Sequence, residues 1–242
     1  YVVNAAGLFC DRISGFLGIR DFTMHPRRGQ FHVIDRAAPL RVQRIILPVP
    51  TKITKGKLLA PTIHGNWLSG PTAEELEDKT DAGTNRQGLD EVMEGVRKLV
   101  PALDPRQAIA QYAGLRPVRD PDGYCVRTFD GLPGYLEISG IRSTGVSASP
   151  ALARYAARRL GEMGATLRPR NGFIAARAGI PCFREADTET RQALMAGDPR
   201  YGNVICRCET VTEAEILQAI HRQPGARDTD GVKRRVRAGL GR

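Results

Sequence analysis

Two thiols one residue apart are the sharpest chemical signal in this 242-residue sequence. Cys206-Arg207-Cys208 follows Asn203–Ile205, a short run that reads as a strand. It precedes a helix opened by Thr212 and Glu215 at capping-box spacing. A strand end beside a helix N-terminus favours thiolate charge, the form that ligates metal. The second signal is the loop Gly140-Ile141-Arg142-Ser143-Thr144-Gly145-Val146-Ser147. It lies between a predicted strand, Tyr135–Ile141, and a predicted helix with Ser149 as N-cap and Pro150 in its first position. Such a passage aims backbone N–H groups and a positive dipole at one point, where negative charge is favoured. The third is Arg116, whose rigid fork matches a carboxylate or phosphate. The competing reading pairs it with Asp104 or Asp120.

The elements that must position these groups fall into three regions. Residues 1–165 mix strands and helices. Gly29–Arg36, Arg44–Val49, Lys57–Ala60, Trp67–Gly70 and Tyr124–Phe129 read as strands punctuated by Gly and Pro, with 61–66 as a loop. Tyr1–Gly7 reads as a buried strand running into a turn. Leu89, Val92, Met93, Val96, Leu99 and Val100 recur at helical spacing and predict a helix over Thr84–Val100. Leu152, Tyr155, Ala156, Leu160 and Met163 form one stripe of the helix that follows Ser149, which Gly164 can end. Residues 166–202 read as a connector with little regular structure. Residues 203–242 carry the Cys-x-Cys and two helices, the second with Val232, Val236 and Leu240 at every fourth position.

Composition narrows the function classes. The net charge is +10, and the excess lies mostly after residue 150, in clusters such as Arg158-Arg159 and Lys233-Arg234-Arg235 on helices. No aromatic platform is interleaved with them, so a solvated basic surface is favoured over nucleic-acid binding. No apolar run is long enough to span a bilayer. Five cysteines are too few and too irregular for a secreted disulfide framework. Cys10, Cys125 and Cys182 read as isolated, reduced and buried, which suits a cytoplasmic setting.

Several motifs together resemble the D-amino-acid oxidase/glycerol-3-phosphate dehydrogenase superfamily of FAD-dependent oxidoreductases. Val2-Val3-Asn4-Ala5-Ala6-Gly7 is similar to the strand and turn that closes the FAD-binding Rossmann half, where small residues let the backbone approach a flat cofactor. His25-Pro26-Arg27-Arg28-Gly29-Gln30, Gly65–Thr72, Tyr112-Ala113-Gly114-Leu115-Arg116-Pro117 and Ile138–Ser147 follow in the family's order. The resemblance covers roughly residues 1–165. It implies an α+β fold, with an antiparallel substrate sheet beside the tail of a Rossmann-like FAD domain. Ala5, Ala6, Gly7 and Gly140–Ser147 would face FAD, whose reduction places negative charge at the ring edge that the helix N-terminus suits.

The resemblance also implies roles. Arg116 would reach an anionic substrate group and Arg28 would be a second such arginine, although Arg27 beside it could equally be surface. His64 would take a proton from the substrate or be plain polar surface. Tyr112 would line the substrate or the core. In a period-two strand only one of Phe31 and His32 can face the site. Some glycerol-phosphate members carry histidine where Phe31 stands, which counts against glycerol 3-phosphate itself. The expected reaction is hydride transfer to flavin from a small 2-hydroxy acid, polyol phosphate or amine. The alternative is a non-catalytic electron-transfer or scaffold subunit.

The tail resembles the [2Fe–2S] domain named after bacterioferritin-associated ferredoxin, found on anaerobic glycerol-3-phosphate dehydrogenase large subunits. Cys206 and Cys208 would be two of the four ligands such a cluster takes. Electrons would leave through the cluster to an acceptor protein or quinone-linked subunit. The location implied is the cytoplasm, or the inner face of the membrane through a partner. No Gly-x-Gly-x-x-Gly fingerprint is present. The expectation is therefore a chain preceded in its parent by a dinucleotide-binding βαβ unit, followed by two more cysteines, and unable alone to hold FAD tightly.

Overall fold

The computed structural model describes residues 1–50 and 56–240. They form two compact units, Tyr1–Arg168 and Pro169–Arg242. In the first, β1 (Val2–Asn4) leads through a 3-10 turn into α1 (Cys10–Gly15) and then β2 (Thr23–Ile34). Next come β3 (Leu58–Pro61), β4 (Trp67–Gly70), β5 (Glu74–Glu75), α2 (Arg86–Arg97) and β6 (Ala108–Asp120). β7 (Cys125–Thr128), β8 (Tyr135–Ser139) and α3 (Gly145–Glu162) complete it.

β2 is the spine of an antiparallel sheet. β6 pairs with it from Thr23↔Asp120 to Ile34↔Ala108, while β4 and β5 share its other edge and β3 adds outside β4. Period-two alternation then sorts the side chains. Met24, Pro26, Arg28 and Gln30 are buried on one face, and His25, Arg27, Gly29 and Phe31 take the other. A separate three-stranded sheet runs β1-β8-β7, with β1 parallel to β8. The main core joins Ile34, Leu59, Trp67, Met93, Val96 and Leu103 under α2, while Leu136, Ile138 and Ala156 seat α3 on β8.

Buried Gln30 locks α2 to this spine. Its Oε1 accepts from Asn85 N (2.8 Å) and its Nε2 donates to Glu74 Oε1 (2.5 Å). Asn85 in turn caps the helix by accepting from Gly88 N. Gly88 is needed there, because a Cβ would stand 2.1 Å from Gln30 Nε2.

In the second unit, α4 (Thr188–Gly197), β9 (Val204–Cys206), β10 (Val211–Thr212), α5 (Glu213–His221) and α6 (Thr229–Val236) pack around Phe183, Tyr201 and Ala214. The capping box forms as its spacing requires, with Thr212 Oγ1 accepting from Glu215 N and Glu215 reaching back to Thr212 N.

The α+β class holds, with several local corrections. β2 starts six residues earlier than expected, and β6 appears where only a motif was noted. Proline and glycine read as breakers in both segments, yet in register Pro26 faces Pro117 and Gly29 faces Gly114. The expected strand at 44–49 reduces to a single bridge, Ile46↔Leu59, because Pro48 and Pro50 lack the N–H groups a ladder needs. β1 pairs on one edge only, so Val2 and Val3 are exposed and Asn4 alone is buried. α3 begins at Gly145 rather than after Ser149. Pro150 sits inside it and removes the donor for the Val146 carbonyl. Ser149 Oγ donates to that carbonyl instead (2.8 Å). Residues 166–202 are no irregular connector: α4, capped by Asp187, forms within them, and most belong to the second unit. Cys182 is exposed and Leu240 lies beyond α6, whereas Cys10 is buried as expected.

Gln30→Ala should destabilise the first unit by about 2–4 kcal/mol, since it opens a cavity and strands the Asn85 N–H; urea unfolding measures this. Burial alone would raise the Glu74 carboxyl, but hydrogen bonds from Arg28, Gln30 and Thr72 outweigh it and hold it below its ordinary 4.5. The stabilisation is therefore full above pH 4.5 and lost as pH falls through the lower folded value. Glu74→Gln should flatten the acid limb of a stability–pH curve.

Candidate functional site

Parallel pairing of β1 with β8 brings together segments more than 130 residues apart, Val2 beside Tyr135 and Asn4 beside Glu137. Both strands end on the same side, where ligands bind in parallel sheets. A cavity of about 420 Å³ opens there, bounded by Ala5, Gly7, Gly140, Ile141, Gly145 and Pro117 among others. Its hydroxyl groups come from Ser139 and Ser149; the rest of the wall is apolar or glycine. Gly7 has φ +58° and Gly140 φ +74°, and a Cβ on Gly140 would stand 1.9 Å from the Gly123 carbonyl. Thr144, the residue before α3, gives no side-chain cap. The N–H groups of Gly145, Val146 and Ser147 thus begin the helix without an intrahelical acceptor.

Buried polar groups hold this wall. Asn4 Nδ2 donates to the Cys10 carbonyl, Ser14 Oγ and Tyr135 Oη at 2.8–3.1 Å. Fully buried Glu137 accepts from Ser139 Oγ (2.7 Å) and from Arg127 (3.1 and 3.2 Å). Motif and spacing single out neither Asn4 nor Glu137; polar residues at inner positions of apolar strands are the signal that could have found them. Burial pushes the Cys10 thiol up to about 11, so it stays protonated.

Arg116 lies beside Pro117, on the face of the β2–β6 ladder shared with Arg27. Its Nη2 donates to the Thr72 carbonyl (2.9 Å), and it enters no ion pair among the described residues. Asp104 takes Arg106 instead, and Asp120 does not reach it. Gly29 makes the space, since a Cβ there would meet Arg116 Nη2 at 2.3 Å. Burial is the first cause that lowers the Arg116 pKa; Arg27 and Arg142 add to it and Glu75 opposes it, and those two arginines are themselves paired with Glu75 and Asp122. Tyr112 shares this face four residues away and stacks on Phe31 at 5.1 Å. His32 turns to the opposite face, its Nε2 donating to the Leu89 carbonyl (3.1 Å).

Two of the expected residues stand apart from Arg116 and the cavity. Arg28 is buried with its guanidinium committed to Glu74 (2.7 Å), Asp81 (3.0 Å) and the Gly83 carbonyl (3.1 Å), leaving no fork for a substrate. His64 is exposed at the tip of the β3–β4 hairpin, beyond Ile34. Seven residues of β2 separate Ile34 from Arg27, the partner of Arg116, a distance of about 23 Å at strand rise. Of the expected FAD-facing residues, Ala5, Gly7, Gly140, Ile141 and Gly145 line the cavity, while Ala6 does not. Arg142 pairs with Asp122, Ser143 stands in the loop, the Thr144 hydroxyl meets Tyr124, and Val146 is exposed. Ser147 Oγ donates to the Thr144 carbonyl (3.1 Å).

In the second unit, Cys206 and Cys208 bring their sulfurs to 3.4 Å. Gly239 N donates to Cys206 Sγ (3.3 Å), and this bond, followed by one from the Glu209 backbone, lowers the thiol pKa. The Glu209 carboxylate is clamped between Arg184 (2.7 Å) and Arg237 (2.8 Å).

A flat cofactor fits the first site: Gly7 has open space where a Cβ would stand, and the uncapped N–H groups offer donors to an electron-rich edge. The second site is half a cluster site. Cys206 and Cys208 are two thiolate donors, and among the described residues no group of three metal-ligating side chains gathers.

Comparison with known proteins agrees with these geometries. Residues 1–159 match the family described as FAD dependent oxidoreductase, and residues 204–241 match the BFD-like [2Fe-2S] binding domain. A glycerol 3-phosphate dehydrogenase of Caloramator mitchellensis is 40% identical over all of this chain and 50% of its own length. One subunit of the anaerobic glycerol-3-phosphate dehydrogenase of Escherichia coli is 24% identical over 99% of this chain and 49% of its own. Dithionite-reduced L-alpha-glycerophosphate oxidase from Mycoplasma pneumoniae, with FAD bound, superposes with a TM-score of 0.61 at 29% identity, covering 66% of this chain and 42% of that one. The chain thus spans about half the length of the relatives it matches. Cavity, sheet and family match lead to one assignment: the chain belongs to the FAD dependent oxidoreductases and carries a BFD-like [2Fe-2S] binding segment at its C-terminal end.

Proposed function

We propose that this chain forms the substrate sheet and part of the flavin site of a dehydrogenase acting on a small polyol phosphate, glycerol 3-phosphate being the first candidate. Arg116 carries the reading: a half-buried guanidinium that enters no ion pair among the described residues, bound to the Thr72 carbonyl and next to cavity-lining Pro117. The 40% identical relative named glycerol 3-phosphate dehydrogenase supports the substrate class. It also outweighs the argument from Phe31, whose ring is occupied in stacking on Tyr112.

Bound flavin supplies a hydride acceptor. The chain's part is binding and orientation. Arg116 holds the anionic end, the glycine wall admits the ring, and the N–H groups of Gly145–Ser147 stabilise negative charge at its edge. Cys206 and Cys208 supply two ligands of a cluster that passes electrons to an acceptor protein or a quinone-linked subunit. Among the described residues no helix is long and apolar enough to cross a membrane.

In the FAD-loaded protein that contains this chain, Arg116→Ala should raise KM for glycerol 3-phosphate strongly, and Arg116→Lys should recover part of the loss. The fork is worth about 1–3 kcal/mol over a point charge when desolvated. Unchanged KM in the alanine variant would assign Arg116 to holding Thr72 alone. Cys206→Ser should remove the [2Fe–2S] absorbance yet leave anaerobic flavin bleaching by substrate nearly unchanged, because substrate oxidation needs only substrate, flavin and proton acceptor in contact. Loss of bleaching in a folded, FAD-loaded variant would make the two sites one.

A further inference from the structure

The end of the substrate sheet farthest from the cavity is apolar at its tips and basic around them. Ile63, at the turn of the β3–β4 hairpin, is 96% exposed. Ile45 and Ile109 are 60% and 52% exposed. The register gathers them: Ile46 pairs with Leu59, which sets Ile45 beside the hairpin end, and Ile34↔Ala108 sets Ile109 at the same end of β6.

Three arginines belong to the segments at this end. Arg36 Cβ lies 3.8 Å from where a Cβ on Gly65, in the hairpin turn, would stand. Arg41 alternates with buried Ala38 and Leu40, and Arg44 precedes Ile45. None of the three enters an ion pair among the described residues. Of the acidic groups at this end, Asp104 is taken by Arg106, and Asp35 Oδ1 accepts from Ala37 N. The presentation is firm, because Trp67 Nε1 donates to the Val42 carbonyl (3.0 Å) and Asp35 N to the Gln107 carbonyl (2.8 Å), over the main core.

We propose that this end of the sheet docks on an anionic lipid surface, with Ile63 entering the headgroup boundary and Arg36, Arg41 and Arg44 meeting lipid phosphates. Single apolar side chains on turn tips, flanked by guanidinium groups outside any ion pair among the described residues, suit a fluid anionic interface. A protein partner would more commonly be met by a contiguous apolar face with carboxylates in its rim. Eight residues of β2 separate Ile34 from Pro26, the partner of cavity-lining Pro117, which is about 27 Å at strand rise. Docking here therefore leaves the cavity clear.

The test is co-sedimentation of the purified FAD-loaded protein with vesicles of phosphatidylcholine, alone or mixed with phosphatidylglycerol, at low and high salt. The protein should bind the mixed vesicles only, and release in high salt. Arg36→Gln, Arg41→Gln and Arg44→Gln together should weaken binding on the order of a hundred-fold. Ile63→Ser should weaken it several-fold, with flavin content and circular dichroism unchanged in both. Arg86→Gln, which removes an exposed cation from the first turn of α2, should bind as the parent does. Absence of binding to the mixed vesicles, or binding insensitive to both sets of substitutions, would overturn the proposal. So would self-association that Ile63→Ser abolishes in a protein that ignores vesicles, which would make this end an interface between copies.

Discussion

The antiparallel ladder between β2 and β6 runs through eleven consecutive residue pairs and a twelfth past a bulge, and the placements in the first unit are measured along it. Its register puts Arg116 beside Arg27 and above Gly29, at the end where Pro117 borders the cavity. The same register puts Ile34 and the hairpin at the far end. A slip of one residue would turn Arg116 to the buried face and Leu115 to the face that Arg27 shares. What fixes the register is the burial of Met24, Arg28, Gln30 and Ile34 along β2, with Gln30 and Arg28 tied into the loop before α2.

Arginine divides the unit into structure and chemistry. Arg28 and Arg127 are ringed by carboxylates, and those pairs join elements that would otherwise part: β2 to the loop before α2, and β7 to β8. Arg116 is the contrast, partly desolvated, outside any ion pair among the described residues and with a carbonyl as its protein partner. A partly desolvated charge outside any ion pair gains from a ligand that supplies the counter-charge. Desolvation without a partner is therefore more telling at Arg116 than its neighbourhood in sequence.

Much of this is legible in the residues. The stripe from Leu89 to Val96, the Thr212–Glu215 capping box, the Gly140–Gly145 loop and the Cys-x-Cys each depend on local spacing, and each appears where spacing puts it. The misreadings share a cause. Proline and glycine read as punctuation in β2 and β6, where cross-strand partners of matching type accommodate them. Pro150 reads as a helix start, where a serine hydroxyl stands in for the missing donor. Arg28 and His64 stand out by type, and only tertiary placement shows one engaged by carboxylates and the other on a remote tip.

The cavity wall is built mainly from main chain and from side chains no larger than a methyl or hydroxymethyl group: Ala5, Gly7, Ser139, Gly140, Gly145, Ser149, Ala153 and Ala156. A surface of this kind has little to lose by truncation. Alanine substitution has nothing to remove at Ala5, Ala153 and Ala156 and takes only a hydroxyl from Ser139 and Ser149, whereas at Gly140 it adds a Cβ that the Gly123 carbonyl does not admit. The wall's contribution becomes visible only when atoms are added, and random variation should therefore meet its strongest resistance in gains of bulk at the glycines.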